Sequence, residues 1–156
     1  MKTLNVLFIS AVFFIFAGVV QADLNIFEGG ASGEYYDPER DLEGFFVEVV
    51  EQDSGRAIVV TWYTYDLGRQ MWLAGNAPLT DGAESVEVPM EVFSGTDFGA
   101  AFVTREVERQ DWGTLTFSFP DCDTASVDYS SELDFGQGSL SLSRLTSLVG
   151  VSCSDQ

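Results

Sequence analysis

Trp62-Tyr63-Thr64-Tyr65-Asp66-Leu67-Gly68-Arg69-Gln70-Met71-Trp72-Leu73 reads as two strands joined by a tight turn, because aromatic and β-branched residues flank an Asp-Leu-Gly break. Two registers fit. A three-residue loop, Asp66-Leu67-Gly68 with Gly68 left-handed, sets Trp62 opposite Trp72. A two-residue Leu67-Gly68 turn sets Tyr63 opposite Trp72 and requires a positive φ at Leu67. The first is favoured on that ground. Since a slip of one residue exchanges the faces of one strand relative to the other, the inward and outward aromatics depend on this choice.

Outward from the hairpin the same texture continues. Short runs of Val, Phe, Tyr, Trp and Thr recur between Gly, Asp, Asn, Pro and Ser, with no sustained helical period. Strands are predicted at Gly33–Tyr36, Gly44–Val50, Ala57–Tyr65, Gln70–Asn76, Ser85–Phe93, Trp112–Phe119, Ala125–Ser130 and Gly138–Leu145, with Phe98–Val103 a candidate ninth. Alternation groups Phe45, Val47 and Val49 on one side of their strand, and does the same for Val86, Val88, Met90 and Val92, for Leu115, Phe117 and Phe119, and for Leu140 and Leu142. Short connections call for antiparallel neighbours. The fold class is therefore all-β: an antiparallel, mostly up-and-down β-barrel of about eight strands, preferred to a β-sandwich because closure removes vulnerable edges. Pro89 cannot donate to a ladder, so its strand is expected to bulge there or face an edge. Gly95–Asp111 is the least regular stretch, and its charges suit a short helix or a long hairpin.

The 156-residue chain begins with Met1 and Lys2, an apolar run from Leu4 to Val20, and Val20-Gln21-Ala22. This is the pattern of a signal peptide, residues 1–22, cleaved after Ala22 to leave a single domain over 23–156. The run is short for a retained membrane anchor. Export to the periplasm or the medium would expose Cys122 and Cys153 to oxidising conditions, where they are expected to form one disulfide; a bridge of that span contributes roughly 3 to 4 kcal/mol.

Asp and Glu number 25 against 7 Lys and Arg, for a net charge of −18. Such a field excludes nucleic acid as a partner and disfavours an anionic membrane. Without histidine, imidazole-based acid–base chemistry and zinc ligation are removed as well. No Gly-x-Ser-x-Gly elbow, Cys-x-x-Cys pair or phosphate-binding glycine loop occurs, so no catalytic residue and no cofactor is assigned. The acidic loops Asp37, Glu39, Asp41, Glu43 and Asp121, Asp123, Asp128 invite comparison with calcium ligands, yet neither follows the EF-hand spacing, and solvated turns are the simpler account. No metal site is assigned. Arg144 falls in phase with Leu140 and Leu142, which points it inward toward a carboxylate partner, unless a bulge turns it out.

Trp62-Tyr63-Thr64-Tyr65-Asp66, Gly68, Trp72-Leu73 and Gly75, with Gly33-Glu34-Tyr35-Tyr36-Asp37-Pro38, Gly44-Phe45, Trp112-Gly113, Phe119-Pro120-Asp121-Cys122, Arg144-Leu145-Thr146 and Cys153, resemble in order a domain of secreted and periplasmic proteobacterial proteins. That family, sometimes repeated within longer chains, has no assigned activity. The resemblance covers nearly all of the chain after the leader and implies an exported, β-rich, disulfide-bearing module without catalytic residues to carry over. Two departures stand out: Leu42 occupies a position where such domains often carry glycine, and the turn from Asp66 to Arg69 is one residue short.

Two functions follow. The first is a noncatalytic exported module that binds a small ligand or a partner protein through Tyr63, Tyr65 and Trp72, with Trp62 structural; alternation sends the four large aromatics of the hairpin to both faces, and the alternative is that all four are packed, inside the barrel or under a flanking loop such as Tyr35–Glu43. The second is a secreted hydrolase using carboxylates alone, motivated only by their number.

Overall fold

A computed structural model of the chain describes residues 26–151 and Cys153. The expected leader, 1–22, lies outside the described residues. Eight antiparallel strands follow one another around a closed barrel: β1 (Gly33–Tyr36), β2 (Gly44–Gln52), β3 (Gly55–Asp66), β4 (Arg69–Pro78), β5 (Ser85–Ser94), β6 (Glu108–Ser118), β7 (Thr124–Ser131) and β8 (Gln137–Arg144). The barrel form anticipated from the strand pattern is the one observed. Phe98–Val103 is not a ninth strand. Gly99, at φ +63°, and two 3₁₀ turns, Gly99–Ala101 and Thr104–Glu106, occupy the long β5–β6 connection instead.

Alternation decides the interior. Phe45 and Val47 of β2, Ile58, Val60 and Trp62 of β3, Leu73 of β4, Val88 and Met90 of β5, Leu115 and Phe117 of β6, Val127 of β7 and Leu140 and Leu142 of β8 are all buried. A chain of ring contacts runs through this core: Tyr35 meets Phe119 edge-on at 5.7 Å, Phe119 stacks on Phe117, Phe117 meets Phe45, and Phe45 stacks on Trp62 at 5.1 Å. Trp62 in turn contacts Trp112 and Tyr129. Side chains fill the interior, as is usual for barrels of this strand number.

The hairpin register differs from the favoured expectation. Tyr63 pairs with Trp72 and Asp66 with Arg69, so the turn is Leu67-Gly68 with φ of +48° and +79°. A two-residue turn with both φ values positive matches the right-handed twist of the flanking strands. That match, gained over a twelve-residue strand, outweighs the roughly 1–2 kcal/mol of a left-handed leucine.

Pro89 sits where pairing fails on one side. The β4–β5 ladder comprises Leu73–Val92, Ala74–Glu91 and Gly75–Met90 and stops immediately before the proline. The bulge lies one residue further on, between Met90 and Glu91, where Trp112 of β6 is the extra residue. Gly75 is needed at this point, since a Cβ there would stand 2.2 Å from the carbonyl oxygen of Pro89.

Closure between β1 and β8 rests on two residue pairs, Tyr35–Arg144 and Tyr36–Ser143. Arg144 does point inward, but its partners are not carboxylates, and among the described residues it forms no ion pair. Its guanidinium donates to the carbonyl oxygens of Thr146 (2.9 Å), Cys122 (2.8 Å) and Ser32, and lies 5.9 Å from the centre of the Tyr35 ring. Backbone carbonyls from three segments, before β1, between β6 and β7 and after β8, take up its donors in place of a carboxylate. The Cys122–Cys153 disulfide, with its Cα atoms 5.8 Å apart, ties the C-terminal segment to the β6–β7 connection at the same end.

Replacing Arg144 by Ala leaves three carbonyls without their donor, and urea unfolding is expected to show a loss of about 2 kcal/mol or more; a loss under about 0.5 kcal/mol would remove Arg144 from the closure. Tyr35 provides a second test. Its hydroxyl donates to the Ala31 carbonyl at 2.9 Å, and burial, with Asp121 and Asp123 adding and Arg144 opposing, pushes its pKa up to about 12 from 10.0. A phenol raised in this way contributes stability that is complete below pH 10 and lost as pH climbs through 12. Stability measured across that window should fall more steeply in the parent protein than in Tyr35→Phe.

Candidate functional site

Inward placement of Trp62 and Thr64 sends Tyr63 and Tyr65 to the outer face of β3, and Trp72 faces outward opposite Tyr63. The three aromatics named from sequence thus share one surface. Trp72 is 58% exposed and Tyr65 49%, whereas Trp62 is 5% exposed and belongs to the core.

Two further side chains complete the surface. Phe46 alternates with the buried Phe45 and Val47, emerges on the outer face of β2, and meets Tyr63 at 5.4 Å between ring centres. Gly44, paired with Tyr63, makes room for that ring, because a Cβ at residue 44 would stand 2.5 Å from the Tyr63 hydroxyl oxygen. Leu42 closes the other side. With Gln70 and Thr64 these residues line a shallow groove of about 240 Å³ whose walls are mainly apolar.

Leu42 is held there by the loop that joins β1 to β2. Glu43 is buried; one carboxylate oxygen accepts from the Thr64 hydroxyl at 2.6 Å, and the other faces Arg40. Asp37 caps the turn by accepting from the Glu39 backbone N–H. These contacts fix Leu42 at φ +68°, a left-handed conformation that disfavours any residue with a Cβ. Leu67, also left-handed, stands at the hairpin tip. Both leucines are nearly bare, at 80% and 90% exposure.

A second depression of about 240 Å³ adjoins the first across Phe46, bordered by Glu34, Glu48, Thr146 and Leu148. Glu34 pairs directly with Phe46 between β1 and β2, and Glu48 follows two residues along on the same face. Partial burial, and after it the nearby Glu34 charge, holds the Tyr63 phenol above its usual pKa.

The acidic loops considered for calcium serve local structure. Asp121 accepts from the backbone N–H groups of Asp123 and Thr124, which lowers its carboxyl pKa. Asp128 accepts from the Ser139 hydroxyl. Among the described residues no three carboxylates or thiols gather in a way that could hold a metal ion.

Exposure makes a direct prediction. Of the three tryptophans, Trp62 and Trp112 are enclosed, so Trp72→Phe should remove most acrylamide-quenchable emission with little change in melting temperature. Trp62→Phe should leave the quenchable fraction intact and cost about 1 kcal/mol or more of stability. An unchanged quenchable fraction in Trp72→Phe would withdraw Trp72 from the surface site. Comparison with known proteins finds no matching family model, curated protein or solved structure, so the geometry of this surface is what bears on function.

Proposed function

We propose that the protein is an exported, noncatalytic β-barrel module that binds a partner on the outer face of β2–β4, through Tyr63, Tyr65 and Trp72 together with Phe46 and Leu42. One observation carries the reading. Two bare apolar side chains, Leu42 in the groove wall and Leu67 at the hairpin tip, are held in left-handed backbone conformations that glycine would adopt without strain. Exposure and strain both work against folding at these positions, and docking is what bare apolar side chains on a rigid frame accomplish.

The surroundings agree. A filled core leaves the barrel surface as the place for contact. Aromatic rings offer large, stiff contact area at small entropic cost. The disulfide is compatible with an oxidising compartment, in keeping with the leader read from residues 1–22. The sequence resemblance to exported domains without assigned activity points the same way.

A neutral apolar dye such as Nile red tests the site without presuming its natural partner. Saturable binding is expected in the parent protein and at least a tenfold weakening in Trp72→Ala, with the melting temperature held within a few degrees. Dye binding that ignores Trp72 would refute the assignment. Turnover of glycosides or esters that is abolished by a carboxylate substitution would replace the module with a hydrolase.

A further inference from the structure

Charge adds to the aromatic groove something that its shape alone does not specify. Glu34 and Glu48 border the second depression, and neither is ion-paired among the described residues. Nearby arginines are committed elsewhere: Arg40 faces Glu43, and Arg144 donates to three backbone carbonyls. Two carboxylates therefore flank Phe46, one across the ladder and one along the strand, beside a net charge of −18. Aromatic faces with negative charge around them attract cations and disfavour anions.

Resting on the reading of this face as a docking surface, we infer that the two depressions form one bipartite site. Its ligand is a segment of a partner protein that presents an apolar or aromatic residue beside a lysine or arginine. The apolar residue enters the groove between Tyr63 and Trp72, and the cation lies over Phe46 between Glu34 and Glu48.

Spacing suits such a segment. β2 and β4 stand two strand spacings apart, about 10 Å. Residues i and i+2 of an extended chain project to the same side about 7 Å apart, and the flexible stem of lysine or arginine covers the remainder. A compact quaternary ammonium ion would reach only one of the two depressions. Neutral saccharides would leave both carboxylates unanswered, and an acidic partner would be repelled.

The test displaces bound Nile red from the full chain with two synthetic peptides, Ac-Leu-Ser-Arg-Ser-Leu-amide and the same peptide with citrulline in place of arginine. Tetramethylammonium chloride serves as the compact cation. The arginine peptide is expected to bind at least about threefold more tightly than its neutral isostere and to weaken as salt is raised from 0.05 to 0.5 M, magnitudes ordinary for exposed charge pairs. In the double variant Glu34→Gln, Glu48→Gln that preference and its salt dependence should vanish while dye affinity stays unchanged, a combination that a merely structural role for the two glutamates would not produce.

If the dye binds through Trp72 but the two peptides compete equally, the cation half is wrong and the docking surface stands. If tetramethylammonium at equal concentration competes as well as the arginine peptide, the bipartite ligand is overturned in favour of a small cation. If neither dye nor peptide binds, both the inference and the reading beneath it fail.

Discussion

Closure of the barrel hangs on a short seam. β1 and β8 share two residue pairs, too few for a ladder to hold against the solvent. What makes the seam firm is the guanidinium of Arg144, which gathers the carbonyl oxygens of Ser32, Cys122 and Thr146 onto one planar group. Those carbonyls belong to the entry into β1, the β6–β7 connection and the exit from β8. A single cation with several fixed donors thereby joins three chain segments, alongside the backbone bonds from Arg144 N–H to the Asp123 carbonyl and from Leu145 N–H to the Glu34 carbonyl, and the disulfide fastens two of them again. Tyr35, buried under the same guanidinium, carries the order inward to Phe119 and so to the ring chain of the core.

From this closure follows the division of labour between the two faces of the sheet. Rings packed from Tyr35 to Trp112 fill the inside. The outside of β2–β4 is then a stiff platform whose aromatics are set by strand register rather than by loops. Gly44 lets the Tyr63 ring settle near the sheet, Phe46 leans on it, and Trp72 stands beside it. Buried Glu43, bonded to Thr64, links that platform to the interior through the very loop that displays Leu42.

Much of this was legible in the sequence because period-two patterning needs no long-range information. The outward position of Phe46 follows from Phe45, Val47 and Val49 as surely as the inward one of Val60 follows from its own neighbours. The hairpin register was not legible, because Leu67 argues locally against a positive φ and the twist of a long strand pair overrules it. Arg144 lies on the inward side that its phase with Leu140 and Leu142 indicates, with no bulge to turn it out, but in place of the expected carboxylate its partners are backbone carbonyls, which leave no mark in side-chain chemistry. Leu42 and Glu34 reach the site through the β1–β2 pairing, which sets Glu34 opposite Phe46, and through the loop contacts of Glu43 with Thr64 and Arg40, none of which shows in local patterning.

The short seam at Arg144 has a counterpart. Around an eight-stranded ring the β4–β5 boundary lies opposite β8–β1, and it too is brief, three pairs ended by Pro89. The β1–β2 ladder is as short, with three pairs, whereas β3–β4 and β5–β6 each reach ten. One boundary is stapled by a guanidinium and a disulfide; at the other, the backbones of Gly75 and Pro89 simply press together. The two short boundaries of the barrel are thus held by different means. Pro89, which has no N–H to give, ends the second boundary, so the outer face that carries the aromatic platform is bordered on one side by a junction that side chains hold and on the other by one that backbone proximity holds.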